Sequence, residues 1–309
     1  MENENMETNR PSSISTPAWL SLITWAVVLL VSDLPNAIWQ ALLGEPPAWL
    51  FWAKIGLLVV LIVGSASWNK IHAVHHYFIL LMVLMLALWG MNLLRGTAAY
   101  IQWEQRIGWV LAMAAYQLEK LAVAFVMIAV LLVIGRRRQD FYLTRGQLDA
   151  PVKPFIGKGN SAGRSISWGR LGLILGLCLV PLTLLFFGLG NLPSTNTLIK
   201  ALPFFPFALL FAATNAFSEE MQFRAALLGP LQEALGADQA LWLTAIFFGF
   251  AHYFGGAPSG VLGVLIAGLL GALFAKTMLE SKGMLVPWFI HFCQNAVIYA
   301  FWAIGSVAG

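Results

Sequence analysis

In a chain that otherwise avoids charge, Glu219 and Glu220 stand side by side and Arg224 follows on the same stretch. Ionisable side chains inside an apolar segment are costly unless paired, solvated in a cavity or neutralised, so such a cluster marks a functional site by default. Its spacing divides the work. On a helix Glu220 and Arg224 are i and i+4 with the acid on the N-terminal side, the favourable orientation for an ion pair. They read as a structural pair. Glu219, about 100° around the helix from Glu220, has no such local partner and reads as the carboxylate left for chemistry.

His252 and His291 are the only histidines in the C-terminal half, and each has a companion one helical turn away: Phe248 with His252, and His291 with Asn295. Three helices therefore each present a polar group backed by a residue on the same face. If the turn near Gly236 marks one membrane face, Glu219 and His252 both lie roughly 25 Å of helix from it, at 1.5 Å per residue. Lys282-Gly283 marks the same face, which puts His291 and Asn295 roughly 13 and 20 Å along the last helix. Glu219, His252 and Asn295 can then share a layer, with His291 one or two turns away. Peptide hydrolysis needs a base and donors aimed at the developing oxyanion, and these residue types supply both. Burial suits Glu219 to base work, while Arg224 keeps Glu220 ionised.

The elements that must position these groups are transmembrane. At 309 residues, 59% hydrophobic and 10% charged, with a mean hydropathy of +0.77, the chain is far from soluble composition, where about 25% charge is usual. It reads as an all-α polytopic membrane protein. A span needs about 20 apolar residues, and the candidates are 18–40, 48–68, 77–94, 108–135, 171–190, 200–235 (overlong), 238–254, 259–280 and 284–306. That is about nine transmembrane helices, with the catalytic core in the C-terminal four. Trp19, Trp49, Trp52, Trp68 and Trp89 sit near predicted ends, as interfacial aromatics. The loop from Arg136 to Arg170 concentrates basic residues, Lys158 and Arg164 among them, and by the positive-inside rule is cytoplasmic. The N-terminus is then cytoplasmic and the C-terminus outside. The net charge of +4 and pI near 9.2 come mostly from this loop, so they set orientation and do not point to nucleic acid. Four regions follow: a disordered tail at 1–17 without signal-peptide character, an N-terminal transmembrane region at 18–140, a basic loop at 141–170, best divided at Pro151–Gly163, and the chemical core at 171–309.

Other polar groups carry quieter readings. Glu119-Lys120 falls near the middle of the fourth candidate. The preferred reading shortens that span to 118–134, with 100–117 at the interface and the pair snorkelling; the alternative has the pair lining the bundle interior. His72 and His76 have a spacing that binds zinc or copper, but no carboxylate or cysteine stands beside them, and they read as an ordinary membrane-face cluster. Cys178 and Cys293 fall in apolar segments and suggest no disulfide or thiolate site. Gly260, Gly263, Gly268, Gly271 and Ala272 read as close helix packing, and the Phe run at 204–211 as lipid-facing or core.

Glu219-Glu220-x-x-x-Arg224, Phe248-x-x-x-His252 and His291-x-x-x-Asn295, in that order, resemble the three-motif signature of the CPBP (Abi, CAAX-protease-like) family of intramembrane endopeptidases. The resemblance covers roughly 200–300, and no key position departs from the pattern. It implies that Glu219 and His252 activate a water, and that His291 and Asn295 stabilise the oxyanion. Glu220, Arg224 and Phe248 then support the site. It further implies a peptide or protein substrate at the membrane, prenylated for some relatives, and an integral protein, expected in a bacterial cell membrane. No cofactor is favoured. Zinc on Glu219, His252 and His291 is the alternative, although the helical His-Glu-x-x-His signature is absent and Asn is a poor ligand. Two readings from other classes stay open: a non-catalytic immunity or binding protein of the same fold, and a transporter using Glu and His as a proton relay. Taken singly, each motif also reads as packing or interhelical hydrogen bonding.

Overall fold

The computed structural model describes residues 17–154, 165–189 and 192–308. The expected tail, apart from Pro17, and the part of the basic loop holding Lys158 and Arg164 lie outside the described residues. What is described is all-helical, apart from one isolated bridge between Pro151 and Ser167. The N-terminal half runs α1 (Ala18–Val31), α2 (Leu34–Leu43), α3 (Trp49–Ser67), α4 (His75–Arg95), α5 (Ala98–Glu104) and α6 (Trp109–Val133). After the basic segment come α7 (Trp168–Gly188), α8 (Thr195–Ala201), α9 (Phe205–Glu220), α10 (Ala226–Leu235), α11 (Ala237–Ala251), α12 (Gly260–Ser281) and α13 (Leu285–Gly305).

Six helical stretches among these are long and apolar enough to cross a membrane, or seven if α1 and α2, bent by 50° at Ser32-Asp33, form one span. That is fewer than the nine segments expected. The shortfall has a physical source: α11 has only 15 residues, and α13 loses apolarity to His291, Gln294 and Asn295. The overlong 200–235 segment is a continuous helical run, Thr195–Leu235, in which a π-helical turn at Met221–Ala225 joins α9 to α10. Such turns recur at functional sites because the extra residue re-aims the side chains around it.

One fold feature corrects the interfacial reading of Glu119-Lys120. Helix α6 begins at Trp109, not 118, and the pair sits in its middle with Lys120 buried. Glu119 accepts from Arg95 Nε at 2.6 Å, so each member of the pair is neutralised laterally. Trp89 packs inward on the start of α3. It is half-buried and stacks on Phe51, centroids 5.6 Å apart and rings 13° from parallel, whereas Trp49, Trp52 and Trp68 are exposed.

The halves share one core: Leu81, Leu84 and Met127 from the first pack in the same cluster as Met221, Leu228 and Phe248 from the second. The basic segment clamps one end of the bundle. Tyr142 Oη donates to Gln232, Arg136 pairs with Glu233, Gln147 N donates to Ser281 O at 2.6 Å and Met284 N to Thr144 O at 2.9 Å. The turn at Gly236 and the turn at Lys282-Gly283 thus lie at one end, as the depth argument assumed. Gly236 (φ +88°) ends α10 in a conformation that L side chains rarely adopt. Close helix packing holds for most of the small residues of α12. A Cβ on Gly249 of α11 would meet Gly268 Cα at 3.2 Å, and one on Gly271 would meet Phe248 and Ala245 at 3.3 Å. Gly260 differs, standing in open space.

Candidate active site

Glu220 and Arg224 are fully buried, joined by Arg224 Nη1 to Glu220 Oε1 at 2.9 Å. The guanidinium lies over the Phe248 ring, 3.7 Å from its centroid, and 5.2 Å from that of Phe274. A desolvated cation over aromatic faces recovers part of the lost hydration, which accounts for Arg224 Nε and Nη2 lacking hydrogen-bond partners. The same Glu220 oxygen accepts from His291 Nδ1 at 2.8 Å, and the His291 ring stacks on Phe274 at 5.1 Å. Glu220 therefore braces two helices: its neighbour on its own run and the histidine of α13.

Glu219 faces differently. Lys120 Nζ donates to its Oε1 at 2.5 Å, and Asn215 Nδ2 donates to the same oxygen at 3.1 Å; Lys120 also bonds Asn215 Oδ1. Its Oε2 is 3.6 Å from His291 Nε2. On its own helix Glu219 has no charged partner, only the Asn215 amide one turn away. Its partner comes from α6, 99 residues earlier, and its charge is balanced by Lys120. Two carboxylates and two cations thus form a neutral buried quartet, as low-dielectric burial requires.

His252 sits just past the C-terminus of α11. Its Nδ1 is 3.0 Å from Phe248 O, and its ring meets the Phe248 ring edge to face at 4.4 Å. A carbonyl only accepts, so Nδ1 carries the proton and, in the neutral ring, Nε2 keeps its lone pair. Phe248 thus supports Arg224 through its ring and His252 through both ring and carbonyl. Gly263 lets α12 approach here, since a Cβ on it would meet His252 O at 2.8 Å.

Asn295 is buried and its Nδ2 has no partner. Glu219, His252, His291 and Asn295 all line one cavity of about 170 Å³, together with Lys120, Asn215 and Tyr299. His291 is closer to Glu219 than the expected one or two turns. The extra residue of the π-helical turn between Gly236 and Glu219 removes only about 1.5 Å of that offset. A second cavity of about 390 Å³ meets the first at Tyr116, Lys120, Glu219, His252 and Gly256, and is otherwise walled by α1 to α4, the π-helical turn, α11 and Gly255. Glu219 stands between the two chambers.

Among the described residues no three His, Cys, Asp or Glu side chains are grouped to hold a metal ion. Around Glu219, His252 and His291 the reason is visible. The Lys120 ammonium occupies Glu219 Oε1, where a dication would meet a fixed positive charge, and His291 Nδ1 is committed to Glu220. Glu219 Oε2 and the Nε2 atoms of His252 and His291 remain as the donors a zinc ion would use, with the Lys120 charge against it. The His72 cluster is bonded within itself: His72 Nδ1 lies 3.0 Å from Ser65 O, His75 Nδ1 2.8 Å from Ser65 Oγ, and the two rings stack.

Lys120 and Asn215 complete the environment of Glu219 and belong to no motif. Lys120 carried a signal in the sequence, a charge in mid-span; Asn215 carried only its place one turn before Glu219.

Fold and site together define a class: an all-helical membrane protein with a carboxylate, two imidazoles and an amide converging on an enclosed cavity. Residues 200–297 match the family model described as type II CAAX prenyl endopeptidase Rce1-like, a family of proteases, and all three motifs fall inside that stretch. No curated protein and no solved structure matches the chain.

Proposed function

We propose that the protein is an intramembrane endopeptidase that hydrolyses a peptide bond of a membrane-associated, apolar or prenylated peptide. The observation that carries this reading is the convergence of Glu219, His252, His291 and Asn295 on one cavity, within the stretch matched by the endopeptidase family. A water held between Glu219 Oε2 and His252 Nε2 attacks the scissile carbonyl. Its proton passes to one of these two bases as the new C–O bond forms, and then to the leaving nitrogen as the C–N bond breaks. Asn295 Nδ2, an unpartnered donor at the cavity wall, stabilises the oxyanion. His291 joins it through Nε2 when its ring carries both protons, because Nδ1–H is held by Glu220. No step runs through a metal.

Nine apolar segments cross the bilayer in this proposal, including α11 and α13, with the N-terminus and the basic segment cytoplasmic. The loop at 253–259, next to His252, then opens outside, whereas processing of prenylated termini belongs to the cytosol.

Hydrolysis of a farnesylated, internally quenched peptide by purified protein tests the reaction, and comparing membrane and secreted peptides of cells with and without Glu219→Gln identifies the substrate. A Glu219→Gln protein that folds and keeps its biological effect would show a binding protein instead of an enzyme.

A further inference from the structure

Asn295 gives the oxyanion one donor, and a second is short. His291 Nδ1 donates to Glu220, so in the neutral ring Nε2 presents a lone pair and no proton. Lys120, Arg224, Glu219 and Glu220 already balance, and a protonated His291 would add an uncompensated charge inside the bilayer. Oxyanion holes work through several donors aimed at one oxygen. Tyr299 of α13 is buried, lines the same cavity as Asn295 and stands one turn beyond it on the same helical face. Helical side chains lean back towards the N-terminus, so the long phenol covers the turn that carries Asn295, ~6 Å along the axis. Its ring meets that of Trp302 edge to face, centroids 4.9 Å apart. Its oxygen is held as well: Gln117 Nε2 of α6 donates to Tyr299 Oη at 2.7 Å, and Gln117 Oε1 accepts from Thr214 Oγ1 of α9 at 3.4 Å. One lone pair is thereby filled, and among the described residues no acceptor takes the Tyr299 hydroxyl proton. A chain of three side chains that ends on an uncommitted O–H at a cavity wall is arranged to donate to what enters.

We propose that Tyr299 is a further catalytic residue, whose hydroxyl donates beside Asn295 to the oxyanion of the tetrahedral intermediate, and that Gln117 positions it. This role rests on the endopeptidase reading. As the water oxygen bonds the carbonyl carbon, the C=O π pair moves onto oxygen. Tyr299 and Asn295 share that charge through hydrogen bonds, and neither gives up its proton. Both Tyr299 and Gln117 lie outside the three motifs, Gln117 in the N-terminal half and Tyr299 just past the matched stretch, which ends at 297.

The plainer role for Tyr299 is to satisfy the Gln117 amide, and steady-state kinetics separate the two. Parent and Tyr299→Phe protein, purified in detergent, are given the farnesylated, internally quenched peptide and its unprenylated twin at a temperature below the Tm of each. A donor used in the transition state predicts kcat lower by at least about tenfold in Tyr299→Phe, towards the about 10²–10³-fold typical of one oxyanion donor, with KM within about threefold. Gln117→Leu, which keeps the hydroxyl but frees it to rotate, should lose less than Tyr299→Phe. A purely structural hydroxyl predicts a lower Tm with kcat of the folded protein within about tenfold of the parent; that result, or a change confined to KM, overturns the proposal. If Tyr299→Phe does not fold with the Gln117 amide orphaned, Gln117→Leu/Tyr299→Phe removes both ends of the bond and is read by the same criterion. Failure of the parent to hydrolyse either peptide overturns the endopeptidase reading and this role with it. A hydrolysing parent whose kcat survives Tyr299→Phe overturns this role alone.

Discussion

Glu219 and Glu220 are chemically identical neighbours, and their surroundings give them opposite expectations. Glu220→Gln leaves Arg224 buried without a counter-ion, a change that costs about 3–5 kcal/mol when one partner of a buried pair is removed. Lower yield and a lowered Tm in detergent, with partial activity, are expected. Glu219→Gln likewise leaves the Lys120 ammonium without its counter-ion, so hydrolysis should vanish and Tm should also fall. The fall should be smaller than for Glu220→Gln, because the Lys120–Glu219 pair is partly exposed whereas Glu220–Arg224 is fully buried. Equal effects on Tm and rate at both positions would mean the roles are divided wrongly. Asn295→Ala should lower kcat by about 10²–10³-fold with KM little changed, as expected for a donor used in the transition state. Lys120 offers a sharper test. Lys120→Met should destabilise the protein, and the double variant Lys120→Met/Glu219→Gln should be more stable than Lys120→Met alone, because removing both charges leaves none uncompensated.

At the scale of elements, the π-helical turn and the glycines of α11 and α12 set where the side chains point. Gly263 sits where any Cβ would meet Pro258 O at 2.4 Å and His252 O at 2.8 Å. Gly263→Leu should therefore push the 253–259 loop and His252 off the cavity. Overpacking of this kind typically costs about 1–3 kcal/mol, so activity should fall much further than a melting curve in detergent shows.

For the molecule as a whole, the N-terminal helices are part of the site, since α6 supplies the ammonium on Glu219 and α1 to α4 wall the larger chamber. A fragment from Trp168 to Ala308, which keeps every family motif, should accordingly be inactive; co-expression with residues 1–167 should restore hydrolysis if the halves reassemble. Orientation can be read in intact cells. With Cys178 and Cys293 replaced, Ser259→Cys should react with a membrane-impermeant maleimide; protection until the cells are lysed would place the 253–259 loop inside.

The helical membrane class, the pairing of Glu220 with Arg224 and the three polar motifs were legible in the sequence, because composition and i, i+4 spacing are local properties. Tertiary structure alone decided that Lys120 and Asn215 hold Glu219 and that His291 is braced by Glu220. The Lys120–Glu219 and Glu220–His291 contacts join residues 99 and 71 positions apart in the chain, and sequence spacing carries no information on which distant face a side chain meets. A charge buried in mid-helix announces that a partner exists; only the packed bundle determines which one.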